Sequence, residues 1–271
     1  MIPRLGYISG SSYIHKLDSV TKLVALICGV VLVVFYGGLI FSILFFILVM
    51  IMFAISSIGL GTVYKKLKFI LTFGLIILIS HLIFVRTGDV LIEITPFSYF
   101  GSSWPLLITT NGFLMGLEIT FRFLTIITSS MLFVATTDPT KLAYSLMRAG
   151  LPYRYGFMLI VTLRFIPVFD MEASVVQYAQ RARGLEIDRK GIRKIFKLTK
   201  YTFVPLLASA LSRVNALTRS MDARGFGLFK NRTYLKQVKP KKVDWVIAAG
   251  AVFLTIVLLF LKFIDMVPIF F

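Results

Sequence analysis

Residues 23–64 carry no charged side chain, the longest such run in the chain. As a single helix the run would be about 63 Å long, roughly twice the ~30 Å hydrocarbon layer of a bilayer, so it must fold back on itself. Gly37-Gly38 is the natural turn, and it predicts spans at about 23–36 and 39–58. Lys65, Lys66 and Lys68 interrupt the pattern, after which a third apolar run covers 69–85 and stops at Arg86. A fourth occupies about 113–135, and a fifth, 245–261, lies between Asp244 and Lys262, with a hydrophobic tail from 263 to 271. The stretch 86–111, with Gly88, Pro96, Gly101, Trp104 and Pro105, reads as an interfacial loop with an aromatic belt.

The polar segments punctuate this pattern. Residues 11–22 read as a capped approach to the first span, with Asp18 or Ser19 as N-cap. Asp138-Pro139 is a helix start, with Asp138 as N-cap and Pro139 at the first helical position, and Gly150 followed by Pro152 is a stop. A short amphipathic helix is predicted between them. Two further apolar stretches, 155–169 and 201–211, resemble spans but are broken by Arg164 and Pro167 in the first and by Pro205 in the second. Their lengths suit buried or interfacial helices better than membrane crossings.

Composition confirms the class. With 58% hydrophobic residues, a mean hydropathy of +0.87 and 26 Phe, the chain is too apolar to fold as a soluble protein without large exposed apolar patches. The net charge of +18 is unevenly distributed, for residues 137–244 hold 21 of the 30 Lys and Arg and 7 of the 12 Asp and Glu. No nucleic-acid-binding motif accompanies these charges, so no nucleic-acid partner is expected and the asymmetry is read as topology. By the positive-inside rule the basic block, the N-terminus and the Lys65–Lys68 loop are cytoplasmic, which five spans satisfy. Seven spans would leave the basic segment 181–200 outside. The organisation expected is an all-α integral membrane protein: a four-span domain at 1–136, a cytoplasmic domain at 137–244, and a final span and tail at 245–271.

Catalytic chemistry is not encoded in any motif. The chain has no phosphate-binding Gly-rich loop ending in Lys-Ser or Lys-Thr, no nucleophile elbow and no His-Cys pair, so neither an enzyme activity nor a resident cofactor is expected. Cys28 is the only cysteine, and His15 and His81 the only histidines, which provides no metal-binding pattern. Within the spans, Glu118 and Arg122 are an i,i+4 pair in the favourable acid-first order. An intramembrane ion pair either serves a polar path or acts as a structural clasp between helices.

The repeat in the basic block carries more information. Gln180-Arg181-Ala182-Arg183-Gly184 and Met221-Asp222-Ala223-Arg224-Gly225 both end in Ala-Arg-Gly, 41 residues apart, each after an apolar stretch with one proline. One Arg-Gly is an ordinary helix C-terminus; two in matched settings suggest two equivalent knobs for two equivalent sockets. Arg supplies a planar, permanently charged fork, and the flanking Ala and Gly keep bulk away from a close contact.

Five segments, taken in order, resemble the transmembrane T component of energy-coupling factor (ECF) transporters, micronutrient importers related to ABC transporters. These are His15-Lys16-Leu17-Asp18 with Lys22, Thr136 to Leu142, Leu163-Arg164-Phe165-Ile166-Pro167, Ala179 to Gly184, and Ala223-Arg224-Gly225-Phe226-Gly227. Many members have Asp-Pro-Arg where this chain has Asp18-Ser19-Val20. The resemblance implies a coupling domain of three helices, two of them long and crossing, in the plasma membrane of a prokaryote. It implies two ABC-type ATPase subunits and a substrate-binding membrane S component as partners. ATPase coupling would fall to Ala182, Arg183, Gly184, Ala223, Arg224 and Gly225. The apolar faces before the prolines, with Phe157, Ile160, Phe165, Val204 and Leu207, are candidates for S-component docking or for packing within the membrane. The competing reading is a self-contained secondary transporter or channel.

Overall fold

A computed structural model of the chain describes residues 6–8, 10, 12–56, 60–85, 87–94, 106–184, 192–228 and 240–264. The side chains of Lys65 and Lys66, together with Arg86, Pro96, Gly101, Trp104, Pro105 and the tail beyond 264, lie outside the described residues. The helices are α1 (Tyr13–Lys16), α2 (Ser19–Tyr36), α3 (Leu39–Ile55), α4 (Leu60–Phe84), α5 (Thr110–Thr136), α6 (Pro139–Arg148), α7 (Tyr153–Ala182), α8 (Ile192–Ala223) and α9 (Lys242–Phe263). Two short strands, β1 (Val90–Ile94) and β2 (Leu106–Thr109), pair antiparallel between α4 and α5. The segment read as an irregular loop is thus a β-ribbon at its base, as its runs of Val, Leu and Ile favour.

Among the described residues, α2, α5 and α9 are long and apolar enough to cross a membrane, and α3 and the 70–84 part of α4 are shorter apolar helices. These are the five expected segments. Two compact units result, one formed by residues 1–145 with 238–271 and the other by 146–237.

α5 is the hub of the first unit. Its buried positions include Gly112, Gly116, Thr120, Leu124, Thr128, Leu132 and Thr136, one row at steps of four along a single face. Small residues in that row let backbones come close, as membrane helices require where no hydrophobic force drives them together. A Cβ at Gly116 would stand 3.2 Å from the His81 Cβ, and one at Gly74 would stand 3.1 Å from the Thr120 Cγ2. Thr120 Oγ1 donates to the Gly74 carbonyl at 3.2 Å, fixing α4 antiparallel to α5.

α2 and α9 run parallel and are tied at both ends. At one end the Asp18 N–H donates to Asp244 Oδ1 at 3.1 Å. At the other, Lys262 Nζ donates to the carbonyls of Phe35 and, at 2.9 Å, Tyr36. Lys22 Nζ donates to the Thr136 carbonyl at 2.9 Å. Thr136 and Asp244 are therefore both held at the N-terminal end of α2.

Candidate functional site

In the second unit α7 and α8 pair antiparallel. Gln180 Nε2 donates to the Tyr201 carbonyl at 3.3 Å, Ser209 Oγ donates to Glu172 Oε1 at 3.0 Å, and Phe226 packs on Phe157 and Tyr153 with ring centroids 4.7 and 6.0 Å away. As the partner number on α7 falls from 180 to 153, that on the other side rises from 201 to 226. The C-terminus of α8 consequently lies beside the N-terminus of α7, and the two Ala-Arg-Gly motifs stand at opposite ends of one helix pair. Counted from the Glu172 contact on α8, eleven residues to Arg183 one way and eleven from Arg213 to Arg224 the other, the motifs are separated by roughly 33 Å along the pair.

Each motif terminates its helix by the same local device. Gly184 and Gly225 have φ of +81° and +69°, in the left-handed region that glycine enters without steric cost. The Gly184 N–H donates to the Arg181 carbonyl at 2.9 Å, and the Gly225 N–H to that of Asp222 at 3.0 Å. In the second motif Phe226 N–H also donates to the Met221 carbonyl at 3.0 Å, completing a Schellman cap. Capping involves the glycine and the backbone only. Arg183 and Arg224, with Ala182 and Ala223, are exposed, and neither guanidinium makes an ion pair with a described residue. A Cβ at Gly184 would meet nothing within 4 Å, whereas one at Gly225 would stand 2.8 Å from Leu228 Cδ1.

The apolar candidates separate into two groups. Val204 and Leu207 are about half exposed, whereas Phe157 is committed to the cluster with Tyr153 and Phe226, and Phe165 stacks on Phe169 at 5.7 Å. Ile160 is half-buried. Phe226, which belongs to the fifth resembling segment and directly follows the second motif, thus has a packing role that its position in the sequence does not specify. Midway along the pair, the Glu172 carboxyl is held below the usual carboxylate range by its hydrogen bond from Arg213, with Ser209 adding to it.

Glu118 and Arg122 lie in the first unit, with Arg122 Nη2 at 2.5 Å from Glu118 Oε1. The same oxygen accepts from the Gly38 N–H at 3.0 Å, so the carboxylate sits at the positive N-terminus of α3 while Lys262 sits at the negative C-terminus of α2. Both charges are complementary to the helix ends they touch, and together they clasp the Gly37-Gly38 turn. Glycines there have φ of +68° and +94°.

The polar N-terminal motif, expected as a capped approach to the first span, also meets distant partners. Asp18 caps α2, accepting from Val20 N–H at 3.3 Å, and its other oxygen accepts from Ser145 Oγ at 2.9 Å. His15 Nε2 donates to the Ile8 carbonyl at 3.1 Å, so its Nδ1, in the neutral ring, accepts from Ser12 Oγ at 2.7 Å. Burial pushes the imidazole below its ordinary range. A cavity of about 230 Å³ beside Lys22 has an apolar wall that includes Leu26, Phe45, Leu48, Met52 and Phe133.

Residues 10–235 match the family model described as CbiQ, cobalt transport protein. The chain is 29% identical to the energy-coupling factor transporter transmembrane protein EcfT of Lacticaseibacillus paracasei, over 94% of this chain and 97% of that one. It is 27% identical to the EcfT protein of Staphylococcus aureus, over 95% and 96% of the two chains. The EcfT protein of Lactococcus lactis is 26% identical, over 93% and 95%. The family match covers most of the chain, including both Ala-Arg-Gly helices, and the chain belongs to the CbiQ family of transport proteins.

Proposed function

We propose that this protein is the non-catalytic coupling subunit of an ECF-type micronutrient importer, transmitting the motion of two ATPase subunits to a substrate-binding S component. The observation that carries this reading is the placement of two exposed arginines, Arg183 and Arg224, at opposite ends of one antiparallel helix pair. Two matched tips held apart by a single body suit two copies of a partner. In each tip the glycine already satisfies the helix end, so the guanidinium is left for a groove that offers carboxylates or carbonyl oxygens. Ala182 and Ala223 keep the approach narrow. Val204 and Leu207, about half exposed, are assigned to the S component, and Phe157, Ile160 and Phe165 to that partner or to packing within the membrane.

The coupling helices and the N-terminus are cytoplasmic in this reading, with residues 137–244 as the coupling domain and the flanking spans as its anchor in the plasma membrane. ATP hydrolysis resides in the partners. A self-contained transporter would need a polar path, and the cavity beside Lys22 has a largely apolar wall. Tagged protein purified from its native membrane should carry stoichiometric ATPases and an S component whose identity reports the solute. A stable homo-oligomer that moves solute alone in liposomes would overturn the proposal.

A further inference from the structure

Glu172 and Arg213 tie α7 to α8 at one point. Arg213 Nε donates to Glu172 Oε1 at 2.8 Å, Arg213 Nη2 donates to the same oxygen, and Ser209 Oγ adds a third bond at 3.0 Å. Ser209 and Arg213 stand on successive turns of α8, so one carboxylate oxygen reads two turns and sets the register between the helices.

The position of this tie follows the repeat. Eleven residues lead from Glu172 to Arg183, and eleven lead from Arg213 to Arg224. At the rise of an α-helix each arginine tip lies about 16 Å along its own helix from the bridge. Residues 173–182 and 214–223 contain neither Pro nor Gly, while Pro167 and Pro205 both lie before the bridge. Two kink-free arms of equal length therefore extend from one ion pair in opposite directions.

We propose that the Glu172–Arg213 bridge is the pivot of the coupling helices, the contact through which displacement of one arginine tip is transmitted to the other. The inference rests on the coupling function proposed above. Both are positioning residues, acting through Arg183 and Arg224. Without the bridge the arms slide past each other, and motion at the ATPases is dissipated before it reaches the membrane partner. The ATPase contacts themselves are untouched.

The test uses the complete complex in liposomes, with Glu172→Gln, Arg213→Gln and the reversed pair Glu172→Arg with Arg213→Glu. Uptake per ATP hydrolysed is measured alongside the distance distribution between spin labels at Tyr178→Cys and Arg219→Cys, equivalent positions on the two arms, in a Cys28→Ala background. Each single variant should retain its ATPases and hydrolyse ATP, with a broadened distance distribution and uptake per ATP lower by roughly tenfold, within the range that coupling mutations span. The reversed pair should narrow the distribution and recover uptake. Normal uptake per ATP in the single variants overturns the pivot, whatever the distances do. If the single variants do not assemble, the reversed pair decides: assembled and coupled, it supports the pivot; assembled and uncoupled, it refutes it. Absence of ATPases from the wild-type complex would instead refute the coupling function on which the pivot rests.

Discussion

Arg183 and Arg224 occupy opposite ends of the α7–α8 pair, each directly before a glycine with positive φ that closes its helix. As C-terminal charges alone they would contribute a few tenths to ~1 kcal/mol of helix stability. As central contacts in a groove, interfacial arginines are worth ~2 kcal/mol or more. Arg183→Ala and Arg224→Ala should each fold, insert, bind ATPases less tightly and transport poorly. The double variant should lose the ATPases, because two linked contacts act through effective concentration. Ala182→Trp and Ala223→Trp should act likewise through bulk. Co-purification and uptake measure this, and full retention in the double arginine variant would remove the support for coupling.

The two glycines should respond differently to substitution. Gly184→Ala meets open space, so its cost is the left-handed backbone alone, ~1–2 kcal/mol. Gly225→Ala meets only the end of Leu228, an exposed side chain that can turn away, but it strains a cap that also positions Phe226 against Phe157. Asn, which tolerates that backbone, should be better accepted than Ala at 184. Thermal unfolding of the purified proteins should rank wild type above Gly184→Asn, Gly184→Ala and Gly225→Ala in that order.

The clasp on the Gly37-Gly38 turn gives a sharper contrast. Arg122→Met leaves Glu118 charged and half-satisfied, and breaking such a pair costs ~3–5 kcal/mol, whereas replacing both partners is often tolerated. Glu118→Gln with Arg122→Met should therefore assemble better than Arg122→Met alone. Lys262→Met removes charge-assisted bonds to two carbonyls and should cost ~1.5–3 kcal/mol. Detergent-solubilised yield and melting temperature provide the comparison. Loss of transport in a fully assembled Glu118/Arg122 double variant would show that the pair serves the cycle itself.

His15 predicts a pH dependence of the N-terminal segment. Burial lowers its pKa on folding, and the charges of Lys22 and Lys141 add to the effect against the opposing hydrogen bond to the Ile8 carbonyl. The unfolded state then binds a proton first as pH falls, and stability declines from about 6.5, the ordinary imidazole value, down through the lower folded value. Above that window it should be flat. Hydrogen exchange of residues 12–16 at pH 7.5 and pH 5.5 should show the loss in wild type and not in His15→Gln. Equal protection at both values in wild type would contradict it.

Orientation can be read with an impermeant thiol reagent in a Cys28→Ala background. Cysteines at Lys66 and Arg189 should be protected in intact cells, and one at Ser102 should react. Labelling at 189 from outside would restore a seven-span topology.

Local chemistry determined much of this protein. Hydropathy runs set five apolar helices, because the length needed to cross a bilayer is a property of each segment alone. Asp18, Asp138-Pro139 and the two Arg-Gly pairs marked helix ends, since capping is settled within a few residues. Tertiary structure alone decided what those groups meet. Asp18 meets Asp244 across 226 residues, Glu118 meets Gly38 across 80, and Lys262 meets Tyr36 across 226. The small-residue face of α5 was present in the sequence, but its use became visible only with Gly74 and His81 packed on it. Likewise the repeat was legible as two tips, whereas their placement at opposite ends followed from the antiparallel pairing of α7 and α8. Polar groups taken out of water must find partners wherever the chain brings them, and no local pattern specifies which distant residue arrives.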